Sequence, residues 1–253
     1  MAEEGTGMYP RPCASCNVLP RRTTAACGSF VFMCDAPADV PVVVIPYRNR
    51  RAHLDCLLTR LANFTVIVVE QCDRLPFNRG ALLNLGYVKA REKGATRVIL
   101  HDCDLVPDDT LLQMYREPWP LPIVHFGARF RRYNNSKSYF GGVHGFCGGD
   151  FPGYPNHFWG WGGEDDALRR RVDLRRTTYA RHGEYLDLEG YPTARHKLQH
   201  LPRHERCQDK HERLRADDVA HDNHRQGLPQ CTATWETWKD QVIWGCITMC
   251  RTE

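Results

Sequence analysis

The run Val42-Val-Val-Ile45-Pro-Tyr-Arg-Asn-Arg50 opens the part of the chain from which the fold can be predicted. Its uninterrupted β-branched residues are typical of a strand that is buried on both faces. Leucines between Leu54 and Leu61 follow at helical spacing, and Thr65-Val-Ile-Val-Val69 repeats the pattern of a buried strand. A strand, a helix and a second strand in this order predict a parallel α/β sheet, whose ligands bind beyond the carboxyl ends of the strands.

Charged side chains follow the predicted strands at the edge where a ligand is expected. The strand Arg97-Val-Ile-Leu100 runs directly into Asp102 and Asp104, which project to the same side of an extended chain. Two carboxylates at a strand end form a hard-oxygen site for Mn²⁺ or Mg²⁺ bridging a diphosphate. Arg48 and Arg50 follow the first strand, where a phosphate or a nucleotide would lie, although a solvated basic loop would carry the same charges.

A second informative stretch is Phe158-Trp-Gly-Trp-Gly-Gly-Glu-Asp-Asp166. Its glycines let the backbone approach a ligand closely, and Trp161 offers a flat apolar face that suits a sugar ring. The carboxylates of Glu164, Asp165 and Asp166 raise one another's pKa values, and a carboxylate with a raised pKa is a candidate general base. The alternative interpretation is structural: the three acidic residues cap the helix that follows, because acidic residues in a first turn complement the helix dipole.

Composition excludes several functional classes. The 253 residues carry a net charge of +4, which suits anionic ligands such as nucleotides but is too small to argue for nucleic acid. No apolar run approaches the roughly 20 residues of a membrane span, and the polar start does not resemble a signal peptide. Among twelve cysteines, Cys13, Cys16, Cys27 and Cys34 are candidates for a zinc site, for disulfides or for free thiols.

The remaining segments complete the outline. Residues 1–38 are predicted as an irregular, cysteine-containing extension, and the glycine-rich segment 139–149 as a ligand-binding wall rather than a core strand. The histidine-rich segment 195–224 has few apolar residues, which predicts a mobile loop, either solvated or a lid that supplies a histidine to a metal. The tail from Trp235 to Ile247 is predicted to close the sheet as a final strand.

The chain resembles the β-1,4-galactosyltransferase family, glycosyltransferase family 7, over roughly residues 40–250. The motifs that carry the resemblance stand in the family's order and spacing: Ile45-Pro-Tyr-Arg-Asn-Arg50, Phe77-Asn-Arg79, His101-Asp-Cys-Asp104, Tyr139-Phe-Gly-Gly142 and Trp159-Gly-Trp-Gly-Gly-Glu-Asp-Asp166. The resemblance implies an α/β GT-A fold with a mixed central sheet flanked by helices. It implies one catalytic domain over residues 39–253, with a nucleotide-binding half at about 39–120 and an acceptor-binding half at about 121–253.

The resemblance also implies the reaction. Members of the family transfer galactose from UDP-galactose to a sugar hydroxyl, with inversion and with Mn²⁺, and Mg²⁺ is an alternative cation. The implied partners are the UDP-galactose donor and a sugar or glycoconjugate acceptor, with no nucleic acid and no membrane span in this chain. The implied location is the Golgi lumen if an anchor is missing from the sequence, and otherwise the cytoplasm, as for a soluble microbial or viral relative.

Roles of individual residues follow from the resemblance alone. Asp165 is implied to be the catalytic base, with Glu164 beside it. The donor and nucleotide contacts are implied to be Pro46, Arg48, Arg50, Phe77, Arg79, Asp102, Tyr139 and Trp161. The acceptor contacts are implied to be Trp161, Gly163, Glu164, Asp165 and Asp166. The metal ligands are implied to be Asp104 and His196, with His200 as a further candidate.

Two alternatives remain open from the sequence. The protein is another hexosyltransferase of the same superfamily, such as an N-acetylgalactosaminyltransferase, or it is a catalytically inactive carbohydrate-binding module. Tyr139 stands where the family carries a tyrosine that favours galactose, which argues against the first, and the presence of Asp104 and Asp165 argues against the second. The polar run Lys210-His-Glu-Arg-Leu214 stands where some members of the family build an apolar pocket for an N-acetyl group, which argues against N-acetylglucosamine as the acceptor. The acceptor remains open among N-acetylglucosamine, glucose, xylose and another sugar.

Overall fold

The computed structural model describes residues 40–136, 138–219, 231–237 and 241–249. The strands in these ranges are β1 Val42–Tyr47, β2 Val66–Gln71, β3 Arg97–His101, β4 Leu105–Pro107, β5 Ile123–His125, β6 Val143–Cys147, β7 Thr177–Tyr179, β8 Tyr185–Asp187, β9 Cys231–Thr237 and β10 Val242–Met249. The α-helices are α1 Arg51–Arg60, α2 Arg79–Glu92, α3 Asp109–Arg116, α4 Glu164–Arg171, α5 Ala194–His200 and α6 Lys210–Val219.

Within the described ranges, eight strands form one mixed sheet in the order β7-β5-β6-β3-β1-β2-β10-β9. The central strand β1 pairs in parallel with β2, with Val43 opposite Val66, and with β3, with Val42 opposite Val98. The chain therefore crosses from one side of β1 to the other between β2 and β3, which opens a crevice at the carboxyl ends of β1 and β3. The predicted α/β fold with a mixed sheet and flanking helices is confirmed.

Successive side chains of β1 enter different cores, because side chains alternate between the faces of a sheet. Val43 packs in a cluster with Leu54 of α1 and Tyr115 of α3, whereas Val44 packs with the apolar side of α2. A Cβ atom added at Gly86 of α2 would lie 2.2 Å from Val44 Cγ1, so the absent side chain lets α2 approach the sheet closely. Both faces of the sheet are thus covered, which explains the continuous apolar runs.

The tail joins the sheet as predicted, but as two strands rather than one. Strand β10 pairs in parallel with β2 and antiparallel with β9, so β9, and not β10, forms the edge on this side. A disulfide between Cys72 and Cys246 joins the end of β2 to β10. Burial of β2 between β1 and β10 is what the uninterrupted apolar run of this strand requires.

Two predictions about the second half are wrong. Residues 143–147 of the predicted binding wall form β6, a fully buried core strand, because β3 and β5 flank it on both sides. The predicted mobile loop contains α5 and α6 in its described part. The Thr193 side chain caps α5 by accepting a hydrogen bond from His196 N, and Leu214 of α6 packs in a small apolar cluster with Phe158.

Several predictions concern residues outside the described ranges. Cys13, Cys16, Cys27 and Cys34 and the rest of the predicted extension lie there, as do the histidines at positions 221 and 224 of the predicted loop. The division into an extension and one catalytic domain stays a prediction. In the described part of the chain, no helix combines the length and the apolar character that crossing a membrane demands.

Candidate active site

A cleft of about 820 Å³ lies beyond the carboxyl ends of β1 and β3, as the sheet topology predicts. The predicted site residues that line it come from segments throughout the described chain. They are Pro46, Arg48, Arg50, Phe77, Arg79, Asp102, Asp104, Tyr139, Trp161, Glu164 and Asp165. Gly163, Asp166, His196 and His200 are not among the lining residues. Polar groups from separate elements thus converge in one concave site, which is the usual form of a binding or active site.

The basic end of the cleft is built around Arg48. Its guanidinium lies 5.2 Å from the centroid of the Phe77 ring and donates a 2.6 Å hydrogen bond from Nη1 to Leu75 O. Asn78 then caps α2, because its side chain accepts a 3.0 Å hydrogen bond from Ala81 N. The cap starts the helix directly after Phe77 and sets Arg79 in its first turn, facing the carboxylates on the other side of the cleft.

Arg79 connects the two ends of the cleft. Its Nε lies 2.6 Å from Asp102 Oδ1, its Nη1 lies 2.8 Å from Asp165 Oδ1, and its Nη2 donates a 3.2 Å hydrogen bond to Gly142 O. Burial lowers the pKa of Arg79, but the neighbouring Asp102 and Asp165 carboxylates outweigh it and raise that pKa above its ordinary value. The side chain is therefore a fixed cation that positions carboxylates from two halves of the fold.

Asp165 lies in the first turn of α4, after Gly163 in a left-handed conformation with φ of 101°. Tyr154 donates a 3.3 Å hydrogen bond from its hydroxyl to Asp165 Oδ1. Burial raises the pKa of Asp165 well above its ordinary value; the Arg79 charge opposes the shift and the Glu164 charge adds to it. The capping and the functional interpretations of this acidic turn are thus compatible, since the same position at the helix start also faces the cleft.

The Trp-Gly-Trp-Gly-Gly segment is held by a distant part of the chain. Gly160 has a φ of 84°, and a Cβ atom at this residue would lie 2.8 Å from the carbonyl carbon of Arg206. Trp161 N donates a 2.7 Å hydrogen bond to Glu205 O, and Cys207 N donates a 3.0 Å hydrogen bond to Trp161 O. The glycine therefore permits a close backbone approach that fixes Trp161 in the cleft wall.

An acidic cluster surrounds Asp104. Its carboxylate and those of Asp187 and Glu189 each place an oxygen within 4.8 Å of the others. Burial, together with the charges of Asp102 and Glu189, raises the pKa of Asp104 to about 7. Such mutual repulsion is relieved when a divalent cation binds, and an all-oxygen ligand set suits Mn²⁺ or Mg²⁺.

Three basic side chains contact the same cluster. Arg50 Nη1 lies 2.7 Å from Glu189 Oε1, while Arg132 Nη1 and Lys197 Nζ lie 2.6 and 2.5 Å from Glu189 Oε2. Arg132 also pairs with Asp187. Burial raises the pKa of Glu189, but Lys197 and Arg50 outweigh it and lower that pKa to about 2. Glu189 therefore stays charged and links three elements of the cleft.

The structure differs from the predicted ligand set around Asp104. It places Asp187 and Glu189 beside this residue, whereas His196 packs its ring against His200, with centroids 4.1 Å apart, and against Tyr191. The roles of His196 and His200 as metal ligands stay a prediction. Sequence analysis missed the two acidic residues, although Asp187-Leu-Glu189 repeats the alternation of Asp102-Cys-Asp104 and supplied the signal.

An aromatic wall faces the cleft beside Asp165. Tyr139 stacks on Tyr133, with ring centroids 3.9 Å apart and an interplanar angle of 13°, and Phe130 packs against both rings. Burial raises the pKa of Tyr139, and the Asp165 charge raises it further, so the hydroxyl stays protonated as a hydrogen-bond donor. The sequence motifs did not identify Tyr133 and Phe130 as site residues.

Comparison with known families agrees with the sequence motifs. Residues 26–116 match the N-terminal region of glycosyl transferase group 7, and residues 122–197 match the N-terminal domain of galactosyltransferase. Together the two matches cover more than half of the chain, and residues from both matched ranges line the cleft. The chain belongs to glycosyltransferase group 7, the family of the β-1,4-galactosyltransferases.

The chain is also similar to individual curated proteins. Human β-1,4-galactosyltransferase 4 is 38% identical over 154 residues, which are 55% of this chain and 44% of the relative. A β-N-acetyl-D-glucosaminide β-1,4-N-acetylglucosaminyl-transferase of Lymnaea stagnalis is 40% identical over 173 residues, which are 60% of this chain and 34% of the relative. The chain thus spans less than half the length of these curated relatives.

A solved structure shares the fold. The catalytic domain of Drosophila β1,4galactosyltransferase 7, in complex with xylobiose, superimposes with a TM-score of 0.63 at 21% sequence identity. The superposition covers 83% of this chain and 94% of the Drosophila chain. This likeness shows the fold, which is the GT-A fold.

Proposed function

We propose that this protein is an inverting transferase that moves galactose from UDP-galactose to a sugar hydroxyl and forms a β-1,4 linkage. One observation carries the proposal: the donor-binding candidates Arg48, Arg79 and Asp102 and the candidate base Asp165 line a single cleft. Membership of glycosyltransferase group 7 supports the reaction class. In this proposal, residues 39–120 bind the nucleotide and residues 121–253 bind the acceptor.

Asp165 is the proposed general base. Its raised pKa makes it a stronger base than an exposed aspartate, and its Oδ1 is held by Arg79 and Tyr154. It takes the proton of the acceptor hydroxyl while that oxygen attacks the anomeric carbon from the face opposite UDP. The bond from the anomeric carbon to the diphosphate breaks at the same time, so an α-linked donor gives a β-linked product. A positioned base contributes roughly 10²–10⁴ in rate.

Asp104 is the proposed anchor of a Mn²⁺ ion, with Mg²⁺ as the alternative. The oxygen-rich cluster of Asp104, Asp187 and Glu189 fits such a cation, and His196 is the ligand that the family resemblance adds. When bound, the metal neutralises charge that builds up on the departing diphosphate. A related Drosophila β1,4-galactosyltransferase 7 mutant has been solved with manganese, UDP-Gal and xylobiose, which agrees with this choice of cation and donor.

Stacking and burial support roles for the remaining residues. Trp161 lines the cleft and is the proposed contact of both donor and acceptor, and Tyr139, which stacks on Tyr133, is the proposed contact of the donor sugar. Pro46, Arg50 and Phe77 complete the proposed nucleotide site, and Gly163, Glu164 and Asp166 the proposed acceptor side. Exclusion of water by Trp161 would protect the donor from hydrolysis.

The second candidate is transfer of an N-acetylhexosamine. The Lymnaea relative, at 40% identity, is named for transfer of N-acetylglucosamine, so the donor sugar is an open choice within this family. Competition between UDP-galactose, UDP-N-acetylgalactosamine and UDP-N-acetylglucosamine decides it. Better turnover with either N-acetylated donor would overturn galactose as the transferred sugar.

The test of the proposed function is UDP release by the purified protein with UDP-galactose, Mn²⁺ and a panel of free sugars and β-linked glycosides. Acceptor-stimulated release that disappears with a chelator and in Asp165→Asn would support the transferase and identify the acceptor class. Tight binding of UDP without release for any acceptor would favour a carbohydrate-binding module. Failure to bind UDP would contradict the assignment of Arg48, Arg79 and Asp102.

A further inference from the structure

Lys197 is a buried cation in the wall of the cleft that neither the motifs nor the family resemblance single out. It belongs to α5 and is 7% exposed. Its ammonium lies 2.5 Å from Glu189 Oε2 and 5.5 Å from the centroid of the Trp161 ring. The side chain therefore stands between the acidic cluster around Asp104 and the tryptophan of the Trp-Gly-Trp segment.

The contacts of Lys197 leave part of its ammonium unused. A lysine side chain carries three N–H donors. Across the described ranges of the chain, Glu189 is the one hydrogen-bond acceptor that contacts it. A buried ammonium with unpaired donors is costly unless a ligand completes its hydrogen bonds. Because Lys197 lines the cleft, the missing acceptors are expected from a ligand in that cleft.

The need to neutralise Glu189 does not by itself explain why a lysine is buried at position 197. Arg50 and Arg132 already contact the two carboxylate oxygens of Glu189 at 2.7 and 2.6 Å. A third cation on the same carboxylate adds positive charge at the point where the cleft would receive an anion. In this cluster the guanidinium groups of the two arginines form the structural ion pairs. The lysine ammonium is a compact charge on a flexible side chain, so it is the group that can reorient toward a ligand.

We propose that Lys197 binds the diphosphate of the nucleotide donor and stabilises it as the leaving group. This inference rests on the proposed function. The ammonium donates hydrogen bonds to phosphate oxygens and keeps its protons, so the balance of the reaction is unchanged. As the bond from the anomeric carbon to the phosphate oxygen breaks, the electron pair stays on that oxygen and the fixed positive charge offsets it.

The first test measures nucleotide affinity by calorimetry in the presence of a chelator, so that no divalent cation contributes. Lys197→Gln retains a donor for Glu189 but removes the charge. UDP is expected to bind about 10- to 100-fold more weakly to this variant than to the wild type, the range of a charge-assisted hydrogen bond. Uridine, which lacks phosphate, is expected to bind both proteins equally. Lys197→Arg is expected to restore most of the UDP affinity.

Controls separate this role from a structural one. Lys93→Met removes an exposed lysine at the end of α2, and it is expected to change neither affinity. Unchanged UDP affinity in Lys197→Gln would overturn the proposal, and so would an equal loss for uridine and UDP, which is the result of a merely structural lysine. Should Lys197→Gln fail to fold, the comparison of UDP with uridine is made in Lys197→Met.

The outcomes also separate this inference from the function on which it rests. If the wild type releases UDP in the presence of an acceptor and Lys197→Gln behaves like it, only the role of Lys197 is overturned. If the wild type neither binds UDP nor transfers a sugar, the proposed function is wrong, and the proposed role of Lys197 is wrong with it. Acceptor-dependent release that falls with the UDP affinity of Lys197→Gln supports both.

Discussion

Arg79 Nη1 lies 2.8 Å from Asp165 Oδ1, and this ion pair joins the first turn of α2 to the first turn of α4. Arg79 pairs with Asp102 at the same time, at 2.6 Å. The arginine thus fixes the spacing between a carboxylate at the end of β3 and a carboxylate at the start of α4. Because burial holds the pKa of Asp165 high while Arg79 lowers it, small changes around this pair alter its protonation.

The first prediction concerns the carboxylate itself. Asp165→Asn retains the shape of the side chain but removes the proton acceptor, so transfer to the acceptor should fall by roughly 10²–10⁴. UDP affinity should change little. Acceptor-dependent UDP release and calorimetric UDP binding measure the two effects. The exposed Asp55→Asn in α1 is the control and should match the wild type; transfer by Asp165→Asn at the wild-type rate would exclude Asp165 as the base.

The raised pKa of Asp165 also predicts the acidic limb of the rate profile. A general base works in its deprotonated form, so the rate falls as pH falls through the pKa of that base. Because this pKa lies well above the ordinary value of 3.8, activity should be lost at a higher pH than for an exposed aspartate. Measured at saturating metal, a kcat/KM that stays constant down to pH 4 would contradict this prediction.

Buried histidines predict how stability changes with pH. Burial lowers the pKa values of His101 and His125 from 6.5 to about 4. Between these values the unfolded chain binds protons at these histidines that the folded protein does not, so their contribution to the free energy of unfolding falls as pH falls from 6.5 to 4. The raised pKa values of Asp104 and Asp165 contribute in the opposite sense. The expected slope is about 1.4 kcal/mol per pH unit for each histidine.

Denaturant unfolding at several pH values tests this dependence. His125→Gln should reduce the slope by about the contribution of one histidine, because glutamine can still donate to Gly141 O, which His125 Nε2 contacts at 2.9 Å. His211→Gln, at an exposed position of α6, should leave the slope as in the wild type. The same slope in His125→Gln as in the wild type would refute the prediction.

Arg131 and Arg132 are adjacent arginines whose replacement should destabilise the protein by very different amounts. The Arg132 side chain is 3% exposed and pairs with Asp187 and Glu189, so Arg132→Met leaves buried carboxylates without this partner. We expect a loss of about 3–5 kcal/mol in the free energy of unfolding. The Arg131 side chain is 82% exposed and pairs with Glu184, so Arg131→Met should cost less than about 1 kcal/mol. Equal losses in chemical denaturation would contradict the buried network.

The central sheet and part of the cleft could be predicted from the sequence because their signals are local. The apolar run of β1 and the Asp-x-Asp after β3 each lie within a few residues. Asp187-Leu-Glu189 repeats the acidic alternation locally, but its approach to Asp104 could not be predicted, because it depends on pairing of β4 with β8, where Leu105 stands opposite Asp187. Such distant pairing leaves no periodic signal in the chain.

The helices α5 and α6 could not be predicted from the sequence for another reason. Their segment is rich in charge, and its apolar contacts are few, so its composition resembles that of a loop. Leu201 and Leu214 are nevertheless buried, and the chain around Arg206 pairs with Trp161. The burial of Lys197 could not be predicted either, because it arises only when α5 packs beside the cleft.

The last prediction concerns the backbone beside Asp165. A Cβ atom at Gly141 would lie 2.5 Å from Asp165 Oδ2 and 2.8 Å from Tyr139 Cε2, so Gly141→Ala must displace the carboxylate or the ring. A misplacement of about 1 Å in a catalytic group can cost on the order of 10²-fold in rate, so kcat should fall at least about 10-fold. UDP affinity should fall less than kcat, because the displaced atoms belong to Asp165 and Tyr139, whose proposed partners, the acceptor and the donor sugar, are absent from UDP. Gly149→Ala is the matched control, as its Cβ would meet no atom within 4 Å. Equal kcat values for the two variants would show that Asp165 does not need its present position, and would remove the main geometric support for its role as the base.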